Sequence, residues 1–266
     1  MKRTHSSTNN NTDDDDDDDD DEIEMIHHDL TGVDNQFLVT GGRTACIPIS
    51  ILSLYHLYKR MQHKAHDKHE QLPVVEEWNE LIRRGITLYK VWHAKYVVTD
   101  STVQTPLPMI EEVLALDDCR AFLSLFTDAP AEVSGLVRRT KLAESTEGSL
   151  TGLFIRMRKD ASRLRQCVCA LVVIPVGVCI SVLCRPEGAN YKECSFLVFD
   201  SHGGIETRGA SLSCELTQFF MARTTAEYLI KKYGIESLGD IDSECLALCT
   251  EEEIVSRYGF HARVFM

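Results

Sequence analysis

Ser195-Phe196-Leu197-Val198-Phe199-Asp200-Ser201-His202-Gly203 is an apolar run that closes on a carboxylate and an imidazole, with a second glycine, Gly204, behind it. Such a run predicts a buried strand, and the glycine pair predicts the turn that ends it. Side chains alternate across a strand, so Asp200 and His202 are expected on one side and Ser201 on the other. A carboxylate there can hold the imidazole in one tautomer. The pair does chemistry only if a nucleophile meets it in space, and the best candidate is Cys46, about 150 residues upstream.

Cys46 follows a turn-rich stretch, 31 to 44, in which Gly32, Asp34, Asn35, Gly41 and Gly42 surround the apolar patch Phe37, Leu38 and Val39. After it, Ile47, Ile49, Ile51, Leu52, Leu54, Tyr55, Leu57 and Tyr58 are apolar almost all round, which predicts a central helix through Arg60. Pro48 fits only in a first turn, so Cys46 falls at the helix N-terminus, where unpaired N–H groups and the dipole favour a thiolate.

The chain has 266 residues, 44% of them hydrophobic, enough for a sizeable core. Its net charge of −13 is concentrated: Lys2, Arg3, the run Asp13 to Asp21, Glu22 and Glu24 contribute −9 together, leaving −4 for the rest. Residues 1–24 are therefore expected to be a disordered acidic tail, and 25–266 a single catalytic domain. That balance argues against nucleic acid as a partner. Ten cysteines spread through a large apolar chain, with a polar N-terminus, predict an intracellular, reduced protein. The uncharged run Cys167 to Cys184 is rich in β-branched residues and broken by Pro175 and Gly177, so it predicts two strands joined by a turn, not a membrane span.

Elsewhere, residues 74 to 95 predict one or two helices with Trp78 and Trp92 in the core, and Met109 to about Phe126 predicts another helix. The stretch from Leu153 to Arg165 alternates apolar with basic residues and predicts an amphipathic helix leading into the sheet. Pro186, Gly188 and Asn190 predict a turn; Ala210 to Cys214 a strand; Thr217 to Lys232 a helix; Ala262 to Phe265 a short strand. His63, His66 and His69 drift around a helix and read as a solvated end; Cys245 and Cys249 lack a matching second pair. No metal or cofactor is expected.

Cys-His-Asp supports acyl transfer: the thiolate attacks a carbonyl, the imidazole protonates the leaving amine, and the carboxylate orients the imidazole. Donors for the developing oxyanion complete such a site. Gln36, ten residues before Cys46, can supply an amide. Asn35-Gln36-Phe37, Gly41-Gly42-Arg43-Thr44-Ala45-Cys46 and Phe199-Asp200-Ser201-His202 together resemble the herpesvirus large tegument protein deubiquitinases, which are papain-like cysteine proteases. The resemblance spans roughly residues 32 to 235 in order of elements, with residue matches in these motifs. Where the family is polar after its nucleophile, this chain has Ile47-Pro48-Ile49.

The resemblance implies an α+β papain-like fold, a central N-terminal helix on an antiparallel sheet, with Cys46 as nucleophile, His202 as base, Asp200 as orienting carboxylate and Gln36 as oxyanion donor. It implies cleavage after the Gly-Gly terminus of ubiquitin or a ubiquitin-like protein, through a thioester, in the cytoplasm or nucleus. Gly41, Gly42, Gly203 and Gly204 would let backbone approach a narrow channel. A cysteine peptidase, amidase or acyltransferase of another substrate, and a non-catalytic ubiquitin-binding module, are the alternatives. His261 is the alternative base.

Overall fold

The computed structural model describes residues 25–34, 36–37, 39, 44–62, 72–97, 108–126, 128–137, 146–175, 177–187, 193–202, 214–233 and 250–266. The acidic stretch 1–24, Asn35, Arg43, the four paired glycines, His63, His66, His69, Cys245 and Cys249 lie outside the described residues.

Among the described residues seven antiparallel strands form one sheet, and the elements run β1 (Met25–His28), α1 (Cys46–Gln62), α2 (Val75–Tyr96), α3 (Ile110–Leu114), α4 (Arg120–Leu123), β2 (Ala131–Leu136), α5 (Leu150–Leu164), β3 (Val168–Ile174), β4 (Val178–Glu187), β5 (Glu193–Asp200), β6 (Glu215–Phe219), α6 (Ala222–Lys232), α7 (Glu251–Tyr258) and β7 (Gly259–Phe265). The strand order is β1-β6-β5-β4-β3-β7-β2. The fold is therefore α+β.

The central strands β3, β4 and β5 are buried on both faces, which is why they read as continuous apolar runs. Cys169, Leu171, Cys179, Leu183, Leu197 and Phe199 turn to one face and join the core formed with α1, α2 and α3. Val168, Ala170, Ile180, Val182, Phe196 and Val198 turn to the other and pack with α5 and α6. β3 and β4 meet at a turn where Gly177 adopts φ 75°, a conformation that favours glycine. Among the described residues no helix is long and apolar enough to cross a membrane.

The region 74 to 95 is one helix, α2, with Trp78 and Trp92 in the core and Glu77 accepting from the Val74 N–H at 2.9 Å to close its first turn. It packs tightly on α1 at Gly85, where a Cβ would lie 2.5 Å from Ile49 Cγ1 and 2.9 Å from Ile49 Cα. α2 thus braces the first turn of α1. α5 buries Leu153, Phe154 and Met157 and leaves Arg156 and Arg163 exposed, as its alternating pattern predicts.

Several expectations are corrected. The single helix expected over 109 to 126 is broken into α3, a 3₁₀ turn at Asp117–Cys119, and α4. Val113, Leu116, Cys119 and Phe122 are all buried at intervals of three, a spacing that drifts off one face of a continuous α-helix, and Leu116 takes an extended conformation that turns it inward. The helix expected from Thr217 begins only at Ala222. Residues 215–219 form β6 instead, because pairing with β5 on one side and β1 on the other satisfies their backbone and overrides a weak helical preference. β4 continues through Pro186 to Glu187. Beyond Cys184 it has left its last β3 partner, so Pro186 occupies an edge-like position where a missing N–H is tolerated.

Candidate active site

β5 ends at Asp200, at the centre of the sheet, and α1 begins at Cys46 on the face that packs with Leu197 and Phe199. Phe199 stacks on Trp78 of α2 with ring centroids 4.7 Å apart and planes 4° apart, which fixes the end of the strand against the helical layer.

Asp200 Oδ1 accepts two hydrogen bonds, from the His202 backbone N–H and from His202 Nδ1, both at 2.8 Å. The strand has already ended here, and Ser201 and His202 lie in a turn. The juxtaposition of Asp200 and His202 therefore comes from a side-chain-to-backbone turn and not from strand alternation. That turn carries the imidazole across the layers: Asp200 bonds to Lys232 and Tyr233 at the end of α6, while Cys46, at the start of α1, is near enough to His202 to raise its imidazole.

Cys46 is 4% exposed. It is the first residue of α1, and the first intrahelical bond runs from Ile49 N–H to Ala45 O at 3.0 Å. Pro48 occupies the first turn, where an N–H would have no intrahelical partner, so the Ile47-Pro48 start is compatible with a regular helix. Ser50 Oγ donates to Cys179 O at 3.0 Å and ties that turn to β4.

Gln36 is fully buried. Its Oε1 accepts from Ser201 Oγ at 3.0 Å, and its N–H donates to Ser201 O at 3.2 Å. With Oε1 so occupied, Nε2 is the donating half of the amide. The loop before it is anchored to α2, where Asn79 accepts from the Asp34 N–H at 2.7 Å and donates to Gly32 O at 3.2 Å. Phe37 lies against the His202 ring, centroids 5.5 Å apart, and is half exposed.

Burial by itself would lower His202, but the hydrogen bonds and charges of Asp200 and Cys46 raise it to about 9. Burial would raise Asp200, yet the Lys232 ammonium and then His202 hold its carboxyl well below the usual range. The eight described cysteines form no disulfides. Burial pushes Cys119 up to about 12, and Cys169 and Cys179 well above the ordinary thiol range, so these behave as small hydrophobes.

The structure thus brings Cys46, His202, Asp200 and Gln36 to one place at the end of β5. It does not bring His261 there. That residue sits on β7, separated from β5 by β4 and β3, roughly 14 Å away at ordinary strand spacing. His261 faces Ser134, Glu111 and Glu132 instead. Lys232, Tyr233 and Glu215 belong to the site and were invisible to sequence reasoning, since a lysine in the last turn of a helix is ordinarily a solvated dipole partner.

Neither a family model nor a curated protein matches the chain. Among solved structures it is similar to the ubiquitin-specific protease encoded by murine cytomegalovirus tegument protein M48, determined in complex with a ubiquitin-based suicide substrate. The identity is 14%, the alignment covers 91% of this chain and 85% of that chain, and the TM-score is 0.48.

Proposed function

We propose that this chain is a papain-like cysteine protease that acts as a deubiquitinase, cleaving after the Gly-Gly terminus of ubiquitin through a thioester. The observation that carries the protease reading is the His202 imidazole held by Asp200 at 2.8 Å with Cys46, the first residue of α1, acting on the same ring. A thiol at a helix start beside an imidazole that is itself held by a carboxylate is the arrangement acyl transfer requires. The choice of ubiquitin rests on the resemblance of the Gln36, Cys46 and Phe199-Asp200-Ser201-His202 segments to the tegument deubiquitinases.

In this mechanism the Cys46 thiolate adds to the carbonyl carbon of the terminal glycine. The oxyanion is met by the Cys46 backbone N–H and Gln36 Nε2. The His202 imidazolium gives its proton to the leaving amine, and the thioester forms as the C–N bond breaks. Neutral His202 then takes a proton from water, whose oxygen attacks the thioester; the C–S bond breaks, the acid leaves, and the Cys46 thiolate and His202 imidazolium are restored. Asp200 stays ionised throughout.

The test is turnover of ubiquitin carrying a fluorogenic amide at its C-terminus. Wild-type protein is expected to hydrolyse it and Cys46→Ala to abolish the reaction. Binding of ubiquitin without turnover by folded wild-type protein would leave the non-catalytic module. Turnover of simple thioesters or peptides but not of ubiquitin would leave a different acyl substrate.

A further inference from the structure

We propose that Lys232 and Glu215 form a charge-balancing pair behind the Cys46–His202–Asp200 triad, with Lys232 a positioning residue that holds Asp200 and limits how tightly His202 retains its proton. The inference rests on the triad reading above, and its test requires no ubiquitin.

It starts from strand register. Asp200 on β5 lies directly opposite Glu215 on β6. Like charges facing each other across an antiparallel pair repel. Lys232, at the end of α6, lies between them: its Nζ is 2.6 Å from Asp200 Oδ2 and 2.6 Å from Glu215 Oε2. Its side chain is only 6% exposed, Asp200 is 3% and Glu215 18%. Lysine is seldom so buried unless paired, and here one ammonium serves two carboxylates.

The remaining polar neighbours complete the arrangement. Tyr233 OH donates to Asp200 Oδ2, so one carboxylate oxygen is committed to Lys232 and Tyr233 and the other to His202. Tyr228 OH and, at 2.9 Å, Thr217 Oγ1 donate to Glu215 Oε1. From β1, His27 Nδ1 approaches the same oxygen at 3.8 Å. The Cys214 and Cys179 thiols, both pushed up first by burial, are further titratable groups that feel Asp200. Asp200 therefore cannot rotate, and its charge reaches the imidazole discounted by the ammonium behind it. Without Lys232, the buried Asp200 and the part-buried Glu215 carboxylates would act on His202 unopposed and hold its proton to higher pH.

The experiment follows the His202 ring by NMR titration of the full ¹⁵N-labelled chain. Lys232→Met is expected to move the His202 midpoint up by about one to two pH units, and Glu215→Gln to move it down. The double variant, which removes one charge of each sign, is expected to return close to wild type, and Lys232→Arg to stay there. A merely structural role would not give opposite shifts that cancel. An unchanged or lowered midpoint in Lys232→Met, or single variants that move the same way, overturns the proposal. Should Lys232→Met fail to fold, an unchanged or raised midpoint in Glu215→Gln overturns it equally. Expected shifts with no cleavage of ubiquitin substrates would sink the deubiquitinase reading and leave the charge pair standing; cleavage with no shifts would do the reverse.

Discussion

Asp200 and His202 are joined twice through a single oxygen: Oδ1 accepts from both the backbone N–H and the ring Nδ1 of His202, each at 2.8 Å. One bond makes the turn after β5, and the other orients the imidazole toward Cys46. Asp200→Asn keeps a backbone acceptor but offers no charge. The His202 midpoint is expected to fall from about 9, and kcat for ubiquitin amides to drop about 10²- to 10⁴-fold with KM within a few-fold of wild type. Steady-state kinetics check both; an unchanged kcat would show that another group orients the ring.

Gln36 is tied to Ser201 through its carbonyl oxygen, which leaves the amide NH₂ as its donor. Removing one oxyanion donor ordinarily costs about 10²- to 10³-fold in kcat. Gln36→Ala is expected to lose activity in that range while Cys46 still reacts with a small alkylating agent. Equal loss of both reactions would assign Gln36 to folding of the site instead.

Stability carries a pH signature of the same site. His202 is raised in the folded state, so its contribution is fully present below about pH 6.5 and is lost as pH rises through about 9. Asp200 is depressed, so its contribution is present above about pH 4 and is lost as pH falls toward its folded value. The unfolding free energy from urea titrations is expected to decline between about pH 6.5 and 9, by on the order of 2 kcal/mol from His202, and to decline less in His202→Gln. A free energy that rises over that window contradicts the assignment.

Gly85 has no room for a methyl group against Ile49. Gly85→Ala is expected to destabilise the fold by about 1–3 kcal/mol in urea unfolding, and to slow alkylation of Cys46 by displacing the first turn of α1. Normal stability and normal alkylation together would mean that α2 does not brace that turn.

Much of this architecture was legible where burial imposes a clear pattern. α1 is readable from its all-round apolar sequence, β3 and β4 from β-branched runs, and β5 from an apolar run that closes on Asp200. Strand parity predicts Asp200 and His202 on one side, whereas their pairing arises in the turn after β5. β1 and β2 are short edge strands with exposed positions, and they carry no alternating signal strong enough to read. Thr217 to Phe219 carry a helical pattern in sequence, and only the neighbours in the sheet, β5 and β1, make β6 a strand. Lys232 could not be found, because its partner Asp200 is placed beside it by β-sheet register and α6 packing, not by sequence spacing.

The most direct test is to react the protein with ubiquitin bearing a C-terminal electrophile and locate the adduct by peptide mass spectrometry. The expected result is one covalent bond, on Cys46, that disappears in Cys46→Ala and forms much more slowly in His202→Ala. An adduct on another cysteine, an adduct that survives in Cys46→Ala, or no adduct on folded wild-type protein would contradict the assignment of Cys46 as the nucleophile of a deubiquitinase.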